Sequence, residues 1–378
     1  KAIILIKIKS LRSYYLEFPL VDPVITSFGV MKSRPCIIVE IEDYNQHVGY
    51  GEIWCNFPGD GASYRFNLLN SIYHSYIVGC EFSNPEKLID KITEKFKTLF
   101  VQSGDMGSFY NINSGLDCAF WDLFAKNQKL PLNQLLNSES QNYISVYASG
   151  INPSESEKKI EAAREMGIKA FKVKIGFNHS LDIDLLNSLS DFVSNEEMLM
   201  LDVNQGWSFD EAREYLKILE NYNFSWIEEP ISALLNPEKF IKLIGETKCN
   251  LAFGENITNF DEFIFLGQNR SSKYIQPDLT KYGGVSLIKE LSQTIQSKKI
   301  WIHFLGSGIG LLTSAHIMSA INPDAFLETD INLNPLRTSL FENELEIVNG
   351  KVHLEDSYGI GGQLNYDTID KYLVSSNI

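Results

Sequence analysis

The sequence predicts an α/β barrel joined to a smaller α+β module. Three observations carry that prediction. Lys174, Asp202, Glu228, Glu255, Asp278, His303 and Glu328 recur at intervals of 23 to 28 residues. Each closes a short apolar run and precedes a helix-like segment, and a strand, a loop and a helix together take roughly 25 residues. Eight strand-like runs share this rhythm, at 143–149, 169–175, 198–203, 225–228, 250–254, 273–276, 300–303 and 325–328. Strict alternation of strands and helices specifies a parallel sheet. Barrels of this kind place their active sites at the C-terminal ends of the strands. Seven ionisable groups aimed at one mouth are more than packing requires.

The elements follow in order. A chain of 378 residues with 44% hydrophobic content buries a large core, and the length suits two units. Residues 2–6 form an apolar run broken by Lys7, too short for a signal h-region or a membrane span, and read as a first strand. Residues 37–42 form a strand stopped by Asp43-Tyr44-Asn45, with a partner starting at Gly49. Residues 63–80, 85–100 and 112–127 have helical spacing; in the last, Leu116, Phe120, Leu123 and Phe124 share a face. Leu130-Pro131-Leu132 ends this module, assigned to 1–135. The alternating region is 136–330, with helices at 154–166, 209–221 and 285–297 among others. Ser208 followed by Asp210 and Glu211 marks a helix N-terminus. Residues 331–378 hold turns and short strand-like runs, without an eighth helix, and are expected to return to the first module.

Composition excludes several function classes. A net charge of −15 argues against nucleic acid and anionic membranes, which need clustered Lys and Arg. Cys36, Cys55, Cys80, Cys118 and Cys249 are odd in number and none forms a CxxC pair. They read as small buried hydrophobes in a reduced, cytoplasmic setting.

The site residues divide by chemistry. Asp202, Glu228 and Glu255 end successive strands, and three such carboxylates repel unless a cation lies between them. Hard oxygen donors suit Mg²⁺. Acids also flank strand ends for structural reasons, but three at barrel spacing favour the metal. Lys172 and Lys174 point to one side of their strand, with Phe171, Val173 and Ile175 on the other. Two ammonium groups in one site lower each other's pKa, toward the range of a general base. Asp278 and His303 end neighbouring strands, so the carboxylate is placed to fix the imidazole tautomer. His47, His74, His179, His316 and His353 lack such a partner and read as structural. Glu328 is either an oxyanion-stabilising acid or a structural carboxylate.

These motifs resemble the enolase superfamily, in particular its mandelate racemase subgroup, over nearly the whole chain. Asn113-Ser114-Gly115-Leu116-Asp117-Cys118-Ala119-Phe120-Trp121-Asp122-Leu123 is similar to the helix linking cap to barrel. Lys172-Val173-Lys174 resembles the Lys-x-Lys motif, and Asp202-Val203-Asn204, Glu228-Glu229-Pro230 and Gly254-Glu255-Asn256 resemble the metal-ligand motifs. Asp278-Leu279-Thr280-Lys281-Tyr282-Gly283-Gly284 followed by His303 points to the mandelate racemase subgroup, because the muconate-lactonising subgroup has Lys where Asp278 stands. Gly359-Ile360-Gly361-Gly362 resembles the family's closing tail, with Tyr358 where the family usually has Pro.

The resemblance implies a modified TIM barrel, (β/α)7β, with a capping domain built from the N-terminal region and the C-terminal tail. It implies a Mg²⁺ enzyme, usually a homo-oligomer, that removes the α-proton of a carboxylate substrate to give an enediolate, with Lys or His as base. Lys174 and His303 are the implied bases, assisted by Lys172, Asp278 and Glu328. The preferred reaction is dehydration of an acid sugar to a 2-keto-3-deoxy acid; racemisation or epimerisation of a 2-hydroxy acid is the alternative. Specificity is expected in the cap segments Ile25-Thr26-Ser27-Phe28-Gly29 and Trp54-Cys55-Asn56-Phe57-Pro58. Ser27, Asn56, Tyr147, Ser149 and Asn204 are the substrate-contact candidates. Two other classes remain: a Schiff-base aldolase using Lys174, which borohydride would trap without metal, and a carboxylate sensor, which predicts a missing base or ligand.

Overall fold

The computed structural model describes residues 4–26 and 29–378. Its N-terminal part is a sheet backed by helices. β1 (Ile6–Thr26) and β2 (Gly29–Asp43) form a long antiparallel hairpin, and β3 (Val48–Ile53) pairs with β2. β1 starts at Ile6, the last residue of the run read as a first strand, and residues 2 and 3 of that run lie outside the described residues. α1 (Gly61–Leu68), a π turn (Leu69–Tyr73) and α2 (His74–Ile77) fill the first helical region. β4 (Glu81–Phe82) adds to β1, and α3 (Pro85–Ser103), α4 (Met106–Gln128) and α5 (Leu132–Leu136) follow. α3 is well delimited: Asn84 accepts from the Lys87 N–H, Pro85 fills the first position, and Gly104 ends the helix at φ 70°. Its buried stripe is Leu88, Ile92, Phe96 and Phe100. α4 lies unusually close to β3, because a Cβ on Gly51 would overlap the Gly115 carbonyl oxygen. The mid-helix glycine read from the linking motif is thus a close-approach residue.

The barrel begins at β5 (Tyr143–Ile151). β6 (Ala170–Lys174), β7 (Met198–Asp202), β8 (Ile227–Glu228), β9 (Leu251–Phe253) and β10 (Tyr274–Ile275) add in parallel, each beside its predecessor. β11 (Phe326–Asp330) pairs with the other edge of β5. The run 300–303 is not a regular strand. It is held by a bridge between Ile275 and Ile300 and by the His303 N–H donating to the Pro277 carbonyl at 3.2 Å. Seven helices separate the strand positions: α6 (Ser156–Glu165), α7 (His179–Phe192), α8 (Phe209–Leu219), α9 (Pro237–Glu246), α10 (Phe260–Gln268), α11 (Gly284–Thr294) and α12 (Gly308–Ile321). Ser208 and Glu211 form a capping box on α8. Where an eighth barrel helix would follow β11 stands the single turn α13 (Pro335–Thr338), so the barrel is of the (β/α)7β kind with an α+β cap.

The tail makes two stops. β12 (Ile347–Val348) and β13 (Lys351–His353) form a hairpin whose second strand pairs antiparallel with β5 of the barrel. α14 (Tyr366–Tyr372) and β14 (Leu373–Asn377) then reach the cap, where β14 pairs with β1. The hairpin covers the start of β5 before the tail reaches the first module. Cys36, Cys55 and Cys118 are buried, and all five cysteines are free thiols. Among the described residues no helix is long and apolar enough to cross a membrane.

Candidate active site

Alternation along the strands builds the site in layers. Tyr147, Ala170, Met200, Trp226 and Ala252 form one apolar cluster inside the barrel. Two residues further along four of these strands stand Ser149, Lys172, Asp202 and Glu228, on the same face one layer higher. The apolar layer is the floor and excludes water from below. Above it is a cavity of about 270 Å³, roofed by Trp54 and Phe57 of the cap.

The sequence-predicted groups meet here. Lys172 donates to Glu228 Oε1 at 2.7 Å and lies 2.8 Å from Glu328 Oε1. Lys174 bonds to Asn204 Oδ1 and lies 3.3 Å from Asp202 Oδ2. His303 Nδ1 is 2.8 Å from Asp278 Oδ2, while its Nε2 is 3.4 Å from Glu255 and 3.8 Å from Glu328. Asp278 is itself held through Oδ1 by the Thr280 N–H at 2.8 Å and hydroxyl at 2.6 Å. Asn204, Gln205 and Glu229 have φ of 47°, 62° and 40°. Three non-glycine residues in the left-handed region, just past β7 and β8, are strain concentrated where these loops turn over the mouth.

Electrostatics follow from burial and close charges. Burial drives Glu228 up; Lys172 opposes this, while Asp202 and Glu328 add to it, and the net shift is upward. Burial also raises Glu255, yet His303 and Lys281 outweigh it and hold that carboxylate well below its ordinary value. Burial pulls His303 down, but Glu255, Glu328 and Asp278 raise it to about 10. Lys172 was expected to be lowered by its neighbour Lys174. Burial does lower it, but Glu228 and Glu328 outweigh that and hold it well above its ordinary value.

The acids fit a divalent cation. Glu228, Glu255 and His303 each offer a ligand atom within 4.8 Å of the others. Asp202 pairs with Glu228 in register on the next strand. It stands outside that cluster because Lys174 and the Asn204 N–H, 2.9 Å away, draw its carboxylate. A set of hard oxygen donors, one of them pushed up by burial and by other carboxylates, suits a doubly charged ion.

The substrate-contact candidates divide. Ser149 and Asn204 line the cavity. Tyr147 does not: it is fully buried in the floor, and its hydroxyl donates to Glu328 Oε2 at 2.9 Å. Asn56 does not either, since its amide donates to the Leu305 carbonyl at 2.9 Å and ties the cap loop to the barrel. Ser27 lies outside the described residues. Several lining residues had no role in the sequence reading: Glu229, Asn256 and Lys281, which stood there only inside motifs, and Arg34 and Asp330, which it did not single out. Lys281 donates to Glu255 at 3.0 Å and to Asn256 at 2.7 Å, and lies 4.9 Å from the Trp54 ring. Its place three residues after Asp278 was the available signal. Arg34 gave none, because it lies on a cap strand far from the barrel in sequence.

Comparison with known proteins agrees with this geometry. The family model described as mandelate racemase / muconate lactonizing enzyme, N-terminal domain, matches residues 13–137, and the one described as enolase C-terminal domain-like matches residues 155–368. The L-talarate/galactarate dehydratase of Salmonella typhimurium is 30% identical over 284 residues, covering 73% of this chain and 69% of that protein. A mandelate racemase/muconate lactonizing enzyme structure from Bordetella bronchiseptica superposes with a TM-score of 0.88 at 30% identity, covering 98% of this chain and all of that one, 100%. A Bradyrhizobium enolase structure complexed with magnesium and mandelic acid has the same fold, with a TM-score of 0.85 at 24% identity and coverage of 99% and 100%.

Proposed function

The chain belongs to the mandelate racemase / muconate lactonizing enzyme family of the enolase superfamily, and from that premise we propose that it dehydrates an acid sugar to a 2-keto-3-deoxy acid in a Mg²⁺-dependent reaction. The carrying observation is the placement of Lys174 and the His303–Asp278 pair in one capped cavity with the carboxylates of Asp202, Glu228 and Glu255 close by. The dehydratase among its relatives supports this choice of reaction. We take 1–135 as the cap, 136–330 as the catalytic barrel and 331–378 as the segment that closes on both.

Asp202, Glu228 and Glu255 would hold the ion, which when bound supplies fixed positive charge against the substrate carboxylate. Lys174, positioned by Asn204 and Asp202, takes the α-proton and leaves an enediolate. The electron pair expels the β-hydroxyl, which leaves as water with a proton from His303 Nε2. The enol then tautomerises to the keto acid. Asp278 holds Nδ1, so Nε2 is the nitrogen that faces the reaction. Lys172 and Tyr147 fix Glu328 at the rim of the developing charge.

Racemisation or epimerisation is the second reading, supported by the presence of two proton-transfer groups, Lys174 and His303, at one cavity. Proton NMR in D₂O with Mg²⁺, pooled acid sugars and 2-hydroxy acids separates the two, with EDTA as control. A metal-dependent 2-keto-3-deoxy product is the expected outcome. Exchange of the α-proton with an unchanged skeleton would instead favour racemisation, and activity that survives EDTA would overturn both.

A further inference from the structure

Resting on the acid-sugar reading, we propose that the cavity contains a second anion subsite centred on Arg34, and that the substrate is a sugar dicarboxylate. The metal-type acids stand at the ends of β7 and β8 and just after β9. Across the barrel, at β5 and β11, a cation, Arg34, stands beside the carboxylate of Asp330. Arg34 reaches there from β2 and lines the cavity with its side chain only 5% exposed. Its Nη2 donates to Asp330 Oδ2 at 2.6 Å. Arg337 Nη1 lies 3.8 Å from the same oxygen, and Lys159 donates to Asn332 Oδ1 at 3.0 Å. Two arginines thus share one carboxylate, and Lys159 binds the neighbouring amide.

Asp330 is already engaged on both oxygens. Oδ1 accepts from the Asn332 backbone N–H at 2.9 Å and side-chain amide at 2.6 Å, leaving Oδ2 to the arginines. Gly150 makes this arrangement possible: its φ is 72°, and a Cβ there would collide with the Asp330 carboxylate. Arg34 Nε is buried and has no hydrogen-bond partner among the described residues. A buried donor left without an acceptor is unfavourable, and a ligand oxygen would satisfy it. Ser149, in register with Asp330, adds a hydroxyl to the same wall. A guanidinium presents a planar fork that matches a carboxylate better than it matches an alcohol. One carboxylate of the substrate would face the metal end and the other would meet Arg34.

The test compares substrates that differ only at the far end. Stereoisomeric aldarates, galactarate among them, are assayed with Mg²⁺ against the matching aldonates, in wild type, Arg34→Gln and Arg34→Lys. We expect wild type to prefer an aldarate in kcat/KM by roughly a hundredfold. In Arg34→Gln that preference should collapse toward one, mainly through KM, and Arg34→Lys should restore part of it. A wild-type preference for aldonates would overturn the subsite and leave dehydration standing. So would an equal loss on both substrates in Arg34→Gln, which marks a structural role. A binding measurement decides the case even if no acid sugar reacts. Glutarate should raise the melting temperature of the Mg²⁺-loaded protein more than its half-amide does, and Arg34→Gln should abolish the difference. Equal stabilisation by the two ligands would overturn the proposal.

Discussion

Tyr147 spends its hydroxyl on Glu328 rather than on a substrate. Its ring packs edge-on against Trp226 at 5.8 Å, so the phenol is fixed in the floor below the chemistry. Tyr147→Phe keeps that ring and removes one anchor of Glu328. Steady-state kinetics should show kcat falling by roughly tenfold with KM little changed. A rise in KM at constant kcat would return the tyrosine to the substrate-contact class. Lys174 and His303 divide along the reaction. Lys174→Ala should abolish both α-proton exchange and dehydration, by a factor of roughly 10² to 10⁴. His303→Asn should retain exchange in D₂O and lose the keto acid. The reverse pattern in NMR would exchange the two roles. Lys172 illustrates a limit of counting charges along a strand. The neighbouring lysine was visible in sequence, but the carboxylates of Glu228 and Glu328, 56 and 156 positions away in the chain, set the sign of its shift.

Whole elements are locked by acids that span the cap–barrel boundary. Glu52 at the end of β3 accepts from the Ser307 N–H at 2.7 Å, the Ser307 hydroxyl at 2.6 Å and the Gly310 N–H at 2.8 Å. It thereby caps α12 from another part of the fold, where the helix dipole favours a negative charge. Asp117 of α4 does the same for α11, accepting from the Ser286 N–H at 2.9 Å and hydroxyl at 2.6 Å. Asp122, also of α4, accepts from the Tyr50 N–H and from the Ile360 N–H of the tail, both at 2.8 Å. Glu52→Ala would leave three donors buried without their acceptor. We expect a loss of about 2–4 kcal/mol in urea unfolding, the cost of an uncapped and unsatisfied helix start. A loss within error of zero would show that water replaces the carboxylate. The linking motif was legible in sequence, and the helix it named exists. What it did not show is that Asp117 and Asp122 point to different partners, because residues five apart on a helix lie on different sides.

The whole molecule is sewn together where cap, barrel and tail meet. His316 of α12 is fully buried there. Its Nε2–H donates to the Ile360 carbonyl at 3.1 Å, and its Nδ1 accepts from the Asn133 N–H at 3.3 Å. Burial lowers its pKa from 6.5 to about 4. The unfolded chain therefore binds this proton first, so stability from His316 is full above about pH 6.5 and is lost as pH falls toward 4. The loss amounts to about 3 kcal/mol across that window. His316→Asn should flatten the corresponding slope in a series of urea midpoints; a wild-type curve already flat there would refute the assignment. The sequence by itself determined the barrel and the order of its strand-end groups. It did so because helical and strand periodicities are local, and a side chain's face follows from its position in a strand. The Asp278–His303 pair was legible from neighbouring strand ends, but only the tertiary structure decided the partners of Lys172, Lys174 and Arg34. It placed Arg34 against Asp330, 296 residues away. It removed Tyr147 and Asn56 from the cavity wall and turned Asp202 toward Lys174. Those outcomes depend on distances between chain segments that no local pattern encodes, and on buried charges choosing among several partners brought within a few ångströms of one another.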